Sequence, residues 1–321
     1  FEEFEGYVEA SAGDYSMYRL TASASGPISD NLAYRLSGNM HQRDGYYDNS
    51  AGDDLNDADD WNIQGKLQWD PTDSLSILLS GSHIDRDTTC CAADAIQSES
   101  VNNELADQGF RPDKNDPYDY DVQPGVDNSF DMESDLLSMT IDYDIAWGEI
   151  TSITAWNDYD YSVDQDPDRS QLDVLAVRND DFSGDSFSQE LRFSSQAGDN
   201  IDYMLGLFYY EQTTKRGGSN PFVFIGDDFE TIGNQQTFPP TAPFPPGNIG
   251  FVAQPGDNLV ADFKLDTDTI AVFSQATWHI GDSWHVTGGL RWSDEEKESD
   301  LFSQTNSTAP SDQLLGRSFL D

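Results

Sequence analysis

The 321-residue chain carries 60 Asp and Glu against 16 Lys and Arg, a formal net charge of −44, with 12% aromatic and 36% hydrophobic residues. So few cations exclude a nucleic-acid partner, which is held through Lys and Arg on its phosphates, and seven Trp, 14 Tyr and 18 Phe exclude a disordered acidic chain. The strongest apolar run, Met204 to Tyr210, falls far short of the roughly 18 to 20 residues of a membrane-spanning helix.

The chain opens on Phe1-Glu2-Glu3, with neither an initiator Met nor a basic start leading into an apolar stretch, so the expectation is a missing N-terminus. From there, apolar residues recur at every second position. This period predicts about eleven strands, near 5–12, 15–26, 32–43, 60–69, 75–85, 134–146, 150–160, 185–195, 201–213, 269–280 and 284–294. In the fourth, Trp61, Ile63, Gly65, Leu67 and Trp69 alternate with Asn62, Gln64, Lys66 and Gln68; in the sixth, Leu137, Met139, Ile141, Tyr143 and Ile145 lead to Trp147; in the last, Trp284, Val286, Gly288, Leu290 and Trp292 share a face. Helical spacing is convincing almost nowhere.

Strands of soluble proteins peak near about 5 to 6 residues, whereas a tilted membrane-spanning strand needs about 9 to 11. The predicted strands fit the longer class. Their connections alternate: tight turns at 27–31, 70–74, 147–149, 196–200 and 281–283 against long segments at 44–59, 86–133, 161–184, 214–268 and from Asp294 onward, the short turn at Gly13-Asp14 being the exception on that side. A meander puts successive connections at opposite ends, so one end of the sheet holds nearly all the large loops. That asymmetry belongs to outer-membrane barrels. The fold class predicted is all-β, an antiparallel up-and-down transmembrane β-barrel. Trp61 and Trp69, like Trp284 and Trp292, lie eight residues apart on one face; at about 3.3 Å per residue and a tilt of about 40° each pair spans roughly 20 Å, close to the apolar band of about 25 Å that aromatic girdles flank. The competing architecture is a soluble sandwich, for which such strands and loops are unusual.

The segments 44–60, 86–130, 157–185, 214–268 and 294–321 hold 40 of the 60 acids and 10 of the 16 basic residues, hence −30 of the −44. Two readings stand. The loop face attracts cations, including divalent ions that bridge lipopolysaccharide, or it is a solvated acidic surface that keeps the loops soluble.

The run Gly26 to Gly38 leading to Arg43-Asp44-Gly45-Tyr46, the run Phe187-Ser188-Gln189-Glu190-Leu191-Arg192-Phe193-Ser194-Ser195, and Thr287-Gly288-Gly289-Leu290-Arg291-Trp292 resemble successive strands of TonB-dependent outer-membrane receptors. The resemblance implies a 22-stranded barrel, plugged by a separate N-terminal domain, that binds a scarce nutrient and imports it with energy delivered by TonB. A ferric siderophore is the usual expectation for such a barrel. It also implies an outer-membrane location, with lipid, lipopolysaccharide, the TonB complex and the small-molecule nutrient as partners. Residues 1–321 are then one partial barrel domain, a fragment of about half the strands, without the plug and without the C-terminal half. A passive porin-like channel and a soluble β-rich binding protein are the alternatives.

No catalytic residue, cofactor site or enzyme activity is expected. Cys90 and Cys91 do not form a zinc pattern; an adjacent pair in an oxidising exterior can close a vicinal disulfide, and similar pairs recur in this loop of the receptors the chain resembles. Asp164, Asp166 and Asp168 alternate in a loop and are candidate oxygen ligands for calcium, against a solvated loop, since the Gly and distal Glu of an EF-hand are missing and Pro167 interrupts the run. Asp53, Asp54, Asp57, Asp59 and Asp60 invite the same two readings. Gly184-Asp185-Ser186 and Gly281-Asp282-Ser283 lack the strand-to-helix elbow of a hydrolase nucleophile. His41, His83, His279 and His285 read as polar residues facing the lumen, and the proline-rich stretch 237–246 as an extended loop whose rings could help capture a ligand.

Overall fold

The computed structural model describes residues 3–50, 52–90, 96–116, 118–125, 128–198, 200–217, 223–229, 231–232, 254–281 and 283–307. In chain order the elements are β1 (Glu5–Ala12), β2 (Tyr18–Ser29), β3 (Leu32–Arg43), β4 (Asp48–Asn49), β5 (Ala58–Thr72), β6 (Leu75–Thr88), α1 (Glu99–Asp107), β7 (Asp121–Val122), β8 (Ser129–Ile145), β9 (Gly148–Gln165), β10 (Leu175–Ala197), β11 (Ile201–Gly217), β12 (Val223–Ile225), β13 (Asn258–Ile280) and β14 (Trp284–Asn306). Setting aside the two- and three-residue pieces β4, β7 and β12, the long strands form one antiparallel meander in sequence order from β1 to β14. They correspond one for one to the predicted strands, and the sheet is a partial up-and-down β-barrel.

The difference lies in length. β1 and β3 keep their predicted bounds and β2 is shifted to Tyr18–Ser29, but from β5 onward the strands run past their predicted limits at the loop end: β10 starts at Leu175, β13 at Asn258, and β14 continues to Asn306 through a segment expected to be loop. Above the apolar band both faces of the sheet meet water, so the hydrophobic alternation stops while the backbone ladder continues; Asp294 to Asn306 stay in register with Ile270 to Asn258. Tight turns close the other end, the shortest leaving only Asp30-Asn31, Asp73-Ser74 and Ala146-Trp147 between strands, so Trp147 sits in a turn as expected, while Gly148 and Glu149 already belong to β9.

The cross-strand register assigns every side chain to a face, because directly opposed residues project to the same side. Trp61 opposes Met40, which opposes Leu20. Across the far strands Leu191 opposes Leu207, Leu207 opposes Val272, and Val272 opposes Trp292. This face is apolar and exposed. Among the described residues the buried apolar side chains are few, and apart from Ala33 and Ala271 they lie in the loops or at the loop ends of strands, as with Leu55, Leu105, Leu172 and Ile225. A sheet whose large apolar residues point outward is arranged for lipid rather than for a soluble core. The four tryptophans proposed as girdle residues lie on this outer face: Trp69 and Trp284 beside tight turns, Trp61 and Trp292 eight residues toward the loops.

The large loops are packed. Leu105 of α1, Leu172 from the β9–β10 loop and Ile232 from the β11–β13 loop form a small core, with Val101, Phe110 and Val174 against it. At about 1.5 to 3 kcal/mol for each large buried aliphatic side chain, this core offsets part of the entropy of ordering three loops. Polar bridges extend it: Gln108 Nε2 donates to Asp228 (2.5 Å), and the Asp173 N–H to the same carboxylate (2.8 Å). The helix was missed in the sequence, although Ser98 caps it, its hydroxyl accepting from Val101 N (3.3 Å), and Gly109 follows its end at φ +85°.

Replacing Leu207, on the outer face of β11, by Arg is expected to cost about 2 to 4 kcal/mol when refolding into lipid vesicles is followed by urea titration, while Ser188→Arg on the inner face of β10 costs well under half of that.

Candidate functional site

The inner face opposite the apolar band is polar near the tight turns and aromatic near the loops. On β9, Tyr159 and Tyr161 project inward two residues apart, their rings stacked at 6.5 Å and 15°. The inward direction follows from register, since Tyr161 opposes Phe182 and Met132, while Trp156, of opposite parity, opposes Leu137 on the lipid face. Phe182 of β10 stacks on Tyr161 at 4.5 Å and 13°, and Phe130 of β8 completes the group at 5.7 Å. Arg216 of β11 lies over the Phe182 ring at 5.0 Å and is held there by Asp180, which accepts from its Nε and one terminal nitrogen at 3.0 Å each. The bidentate geometry fixes the guanidinium plane as a lone lysine could not. Further along, Arg291 lies over Phe208 and Phe273 at 5.4 and 5.7 Å.

Two glycines make this wall possible. A Cβ on Gly184 would come 2.7 Å from the Tyr159 hydroxyl, and one on Gly206 would meet the Phe273 ring at 2.1 Å. Each ring lies flat across its neighbour's glycine, presenting one face to the lumen. Gly184-Asp185-Ser186 therefore lies within β10 as a packing element, and no nucleophile elbow forms around it.

A second aromatic group sits in the loops. Tyr46 contacts Tyr15, Tyr47 and Tyr120 at 6.5, 5.1 and 6.3 Å, and Arg43 stacks over it at 5.0 Å. The parallel pairing of β4 with β7 ties its two loops together. Beside it Asp121 pairs with Arg111 and Lys114, and the Arg111 hydrogen bonds hold its carboxyl down at about 2.

The calcium candidates separate. Asp164 pairs with Arg178 (3.3 Å) and accepts from Asn179 N (2.7 Å). Asp166 is 4% exposed and accepts from the N–H groups of Gly125 (2.7 Å), Asp168 (3.1 Å) and Arg169 (3.0 Å). Asp168 accepts from Ser170 and from Leu175 N (3.0 Å). These carboxylates satisfy loop amides, so the run is neither one ligand set nor a solvated loop; among the described residues no group of three acids, His or Cys is placed to hold a metal. The 53–60 acids act similarly: Asp57 accepts from Thr89 N (2.7 Å), Asp59 from Gln42 (2.7 Å), and Asp60 contacts His41 (3.1 Å). Of the histidines, His41, His279 and His285 face inward, but His83 opposes Ile63 on the lipid face and packs on Trp61 at 4.9 Å. Its parity with Ile77 and Leu79 places it there. Cys90 is disulfide-bonded and half-buried; Cys91 and the 237–246 stretch lie outside the described residues.

The sequence profile of the family described as TonB dependent receptor-like, beta-barrel matches residues 92–317. The chain belongs to this family. No curated protein matches this receptor-like barrel. Among solved structures it resembles the ferric yersiniabactin uptake receptor FyuA from Yersinia pestis (19% identity, TM-score 0.64), covering 95% of this chain and 43% of that one. The ferric-catecholate import receptor Fiu from E. coli K12 gives 16%, 0.60, 91% and 44%, and the ferripyoverdine receptor of the Pseudomonas aeruginosa outer membrane 14%, 0.59, 96% and 39%. At these identities the likeness establishes the fold, and the receptor-like barrel spans less than half the length of these structures.

In the loop cap, burial first and the Asp166 carboxylate second push Asp168 up to about 7, and burial raises Asp166 as well. A raised carboxyl favours the folded loop in its protonated form. That contribution is fully present below the ordinary value of 3.8 and is lost as pH rises to about 7. Hydrogen exchange of the 169–175 amides, corrected for intrinsic rates, is expected to show protection falling between pH ~4 and ~7, with Asp168→Asn flattening the slope.

Proposed function

We propose that this chain is part of the wall of an outer-membrane receptor that captures a scarce nutrient from outside and imports it with energy delivered through TonB, a ferric siderophore being the ligand class most in keeping with the solved relatives. The observation that carries the reading is the inward stack of Tyr159, Tyr161 and Phe182 with the Arg216–Asp180 pair, directly beneath loops packed into a cap. A channel that only sieves by size has little use for flat aromatic surface on its wall, whereas a binding site uses it to hold a ligand at low entropic cost. The outer edges of β1 and β14 pair with no strand among the described residues, and a bilayer requires such edges to be paired in the assembled protein. At the tight-turn end, Asp144, Glu149 and Asp202 line an inner concavity of about 890 Å³. This acidic wall is where a plug inside the barrel would seat. The outer tryptophans Trp61, Trp69, Trp284 and Trp292 serve as interfacial anchors, and Cys90 with Cys91 forms a vicinal disulfide that fixes the base of the β6–β8 loop.

In cells expressing the full-length receptor, iron uptake from ferric siderophores is expected to stop when the proton-motive force is collapsed, while binding at the cell surface persists. Tyr161→Ala and Phe182→Ala should weaken that binding about tenfold each, as expected for loss of about 1 to 2 kcal/mol of stacking, with the amount of receptor in the membrane unchanged. Uptake that continues without energisation identifies a passive channel instead. Thiol titration of the exported protein is expected to find no free thiol before reduction and two after; two free thiols beforehand refute the disulfide.

A further inference from the structure

The charge around the aromatic wall restricts what it can bind, an inference that rests on the reading of the inner stack as a ligand site. The loop-end segments carry 40 acids against 10 basic residues, and the structure places many of them on strands rising above the apolar band, as a collar around the mouth. Such a collar focuses a negative potential over the opening. Positively charged side chains inside could offset it for an incoming anion, but the inward-facing cations of the upper wall from β10 to β14, around the aromatic stack, are already engaged. Arg216 is neutralised by Asp180 through two hydrogen bonds of 3.0 Å, with Asp180 itself buried. Lys297 pairs with Glu295 at 2.7 Å, and Arg178 with Asp164 at 3.3 Å. Arg291 is turned onto the Phe208 and Phe273 rings. Taking an anionic group at Arg216 would require breaking the Asp180 pair and leaving a buried carboxylate uncompensated, which costs more than the new contact returns. What the wall does offer is flat aromatic surface, whose negative π-face favours cations and apolar planes.

We propose that the ligand of this receptor carries no net negative charge: it is a neutral or cationic small molecule or chelate with at least one flat apolar face, and trianionic chelates of the tris-catecholate kind are rejected at the mouth. The selection is electrostatic and acts before any contact is made.

The test needs no knowledge of the ligand. Cysteine is introduced at Ser186 on the inner face of β10 in the full-length receptor, in intact cells, and its modification is timed with a cationic, an anionic and a neutral methanethiosulfonate of similar size. Gln212→Cys, directly across on β11, serves as the second position. Each rate is divided by that of the same reagent with a free thiol, and the parent protein without the added cysteine gives the background. Comparing reagents at one site cancels any change in the reactivity of the thiol itself. The cationic reagent is expected to react at least about tenfold faster than the anionic one, with the neutral reagent between them. The ratio should fall toward one in ~1 M salt, where the screening length is about 3 Å. Equal rates, a faster anionic reagent, or a ratio indifferent to salt overturns the proposal, as does a wall that no reagent reaches. Uptake that proves passive while this ratio holds removes the import reading and leaves the charge selection standing.

Discussion

A bilayer offers no hydrogen-bond partner to a backbone N–H or C=O, so a sheet that crosses it must pair each strand with its neighbours and turn its apolar side chains outward. The rest of this molecule follows from that constraint. It sets the long, in-register ladders from β1 to β14 and places Leu207, Val272 and Trp292 outward. It also frees the opposite face from forming a core, leaving the inner positions of the same strands to carry chemistry.

Where the bilayer ends, the constraint lapses and a different one takes over. The strands continue as ladders wetted on both sides, and the loops that join them must find their own reasons to be ordered. They do so through a core too small for a domain, Leu105 with Leu172 and Ile232, and through carboxylates used as caps for loop amides, Asp166 and Asp168 above all. The acidity of the chain thus serves two purposes, with some acids buried as structural acceptors and many others forming the charged collar. The aromatic stack lies at the junction of the two regimes, below the cap and above the polar inner wall, and glycines on neighbouring strands let its rings lie flat.

Period-two alternation was legible because lipid on one side and water on the other impose it; Trp61 to Trp69 and Trp284 to Trp292 show it plainly. It vanishes where both sides are wet, which is why Asp294 to Asn306 read as loop although they are strand. His83 was misplaced because both faces of β6 carry apolar residues, Leu78 and Ile84 on one and Ile77 and Leu79 on the other, so polarity alone does not give the phase. The inner stack is hidden from the alternation because it falls across the upper end of β9 and a stretch that lacks it. Its signal was present in Tyr159 and Tyr161, two aromatics of one parity alternating with Asp158 and Asp160 of the other. The fate of Asp166 and Asp168 could not be read at all, since whether a loop carboxylate meets water, metal or amides depends on which distant loop packs over it.

The most direct test of the account is a spin-label scan through residues 203–212 of β11 in the full-length receptor reconstituted in lipid, reading collisions with oxygen from the bilayer and with a water-soluble nickel chelate. Two opposed period-two patterns are expected: Leu205, Leu207 and Tyr209 collide with oxygen, and Met204, Phe208 and Gln212 with the chelate. Uniform access to the chelate along the strand, or the two patterns in phase, would contradict it.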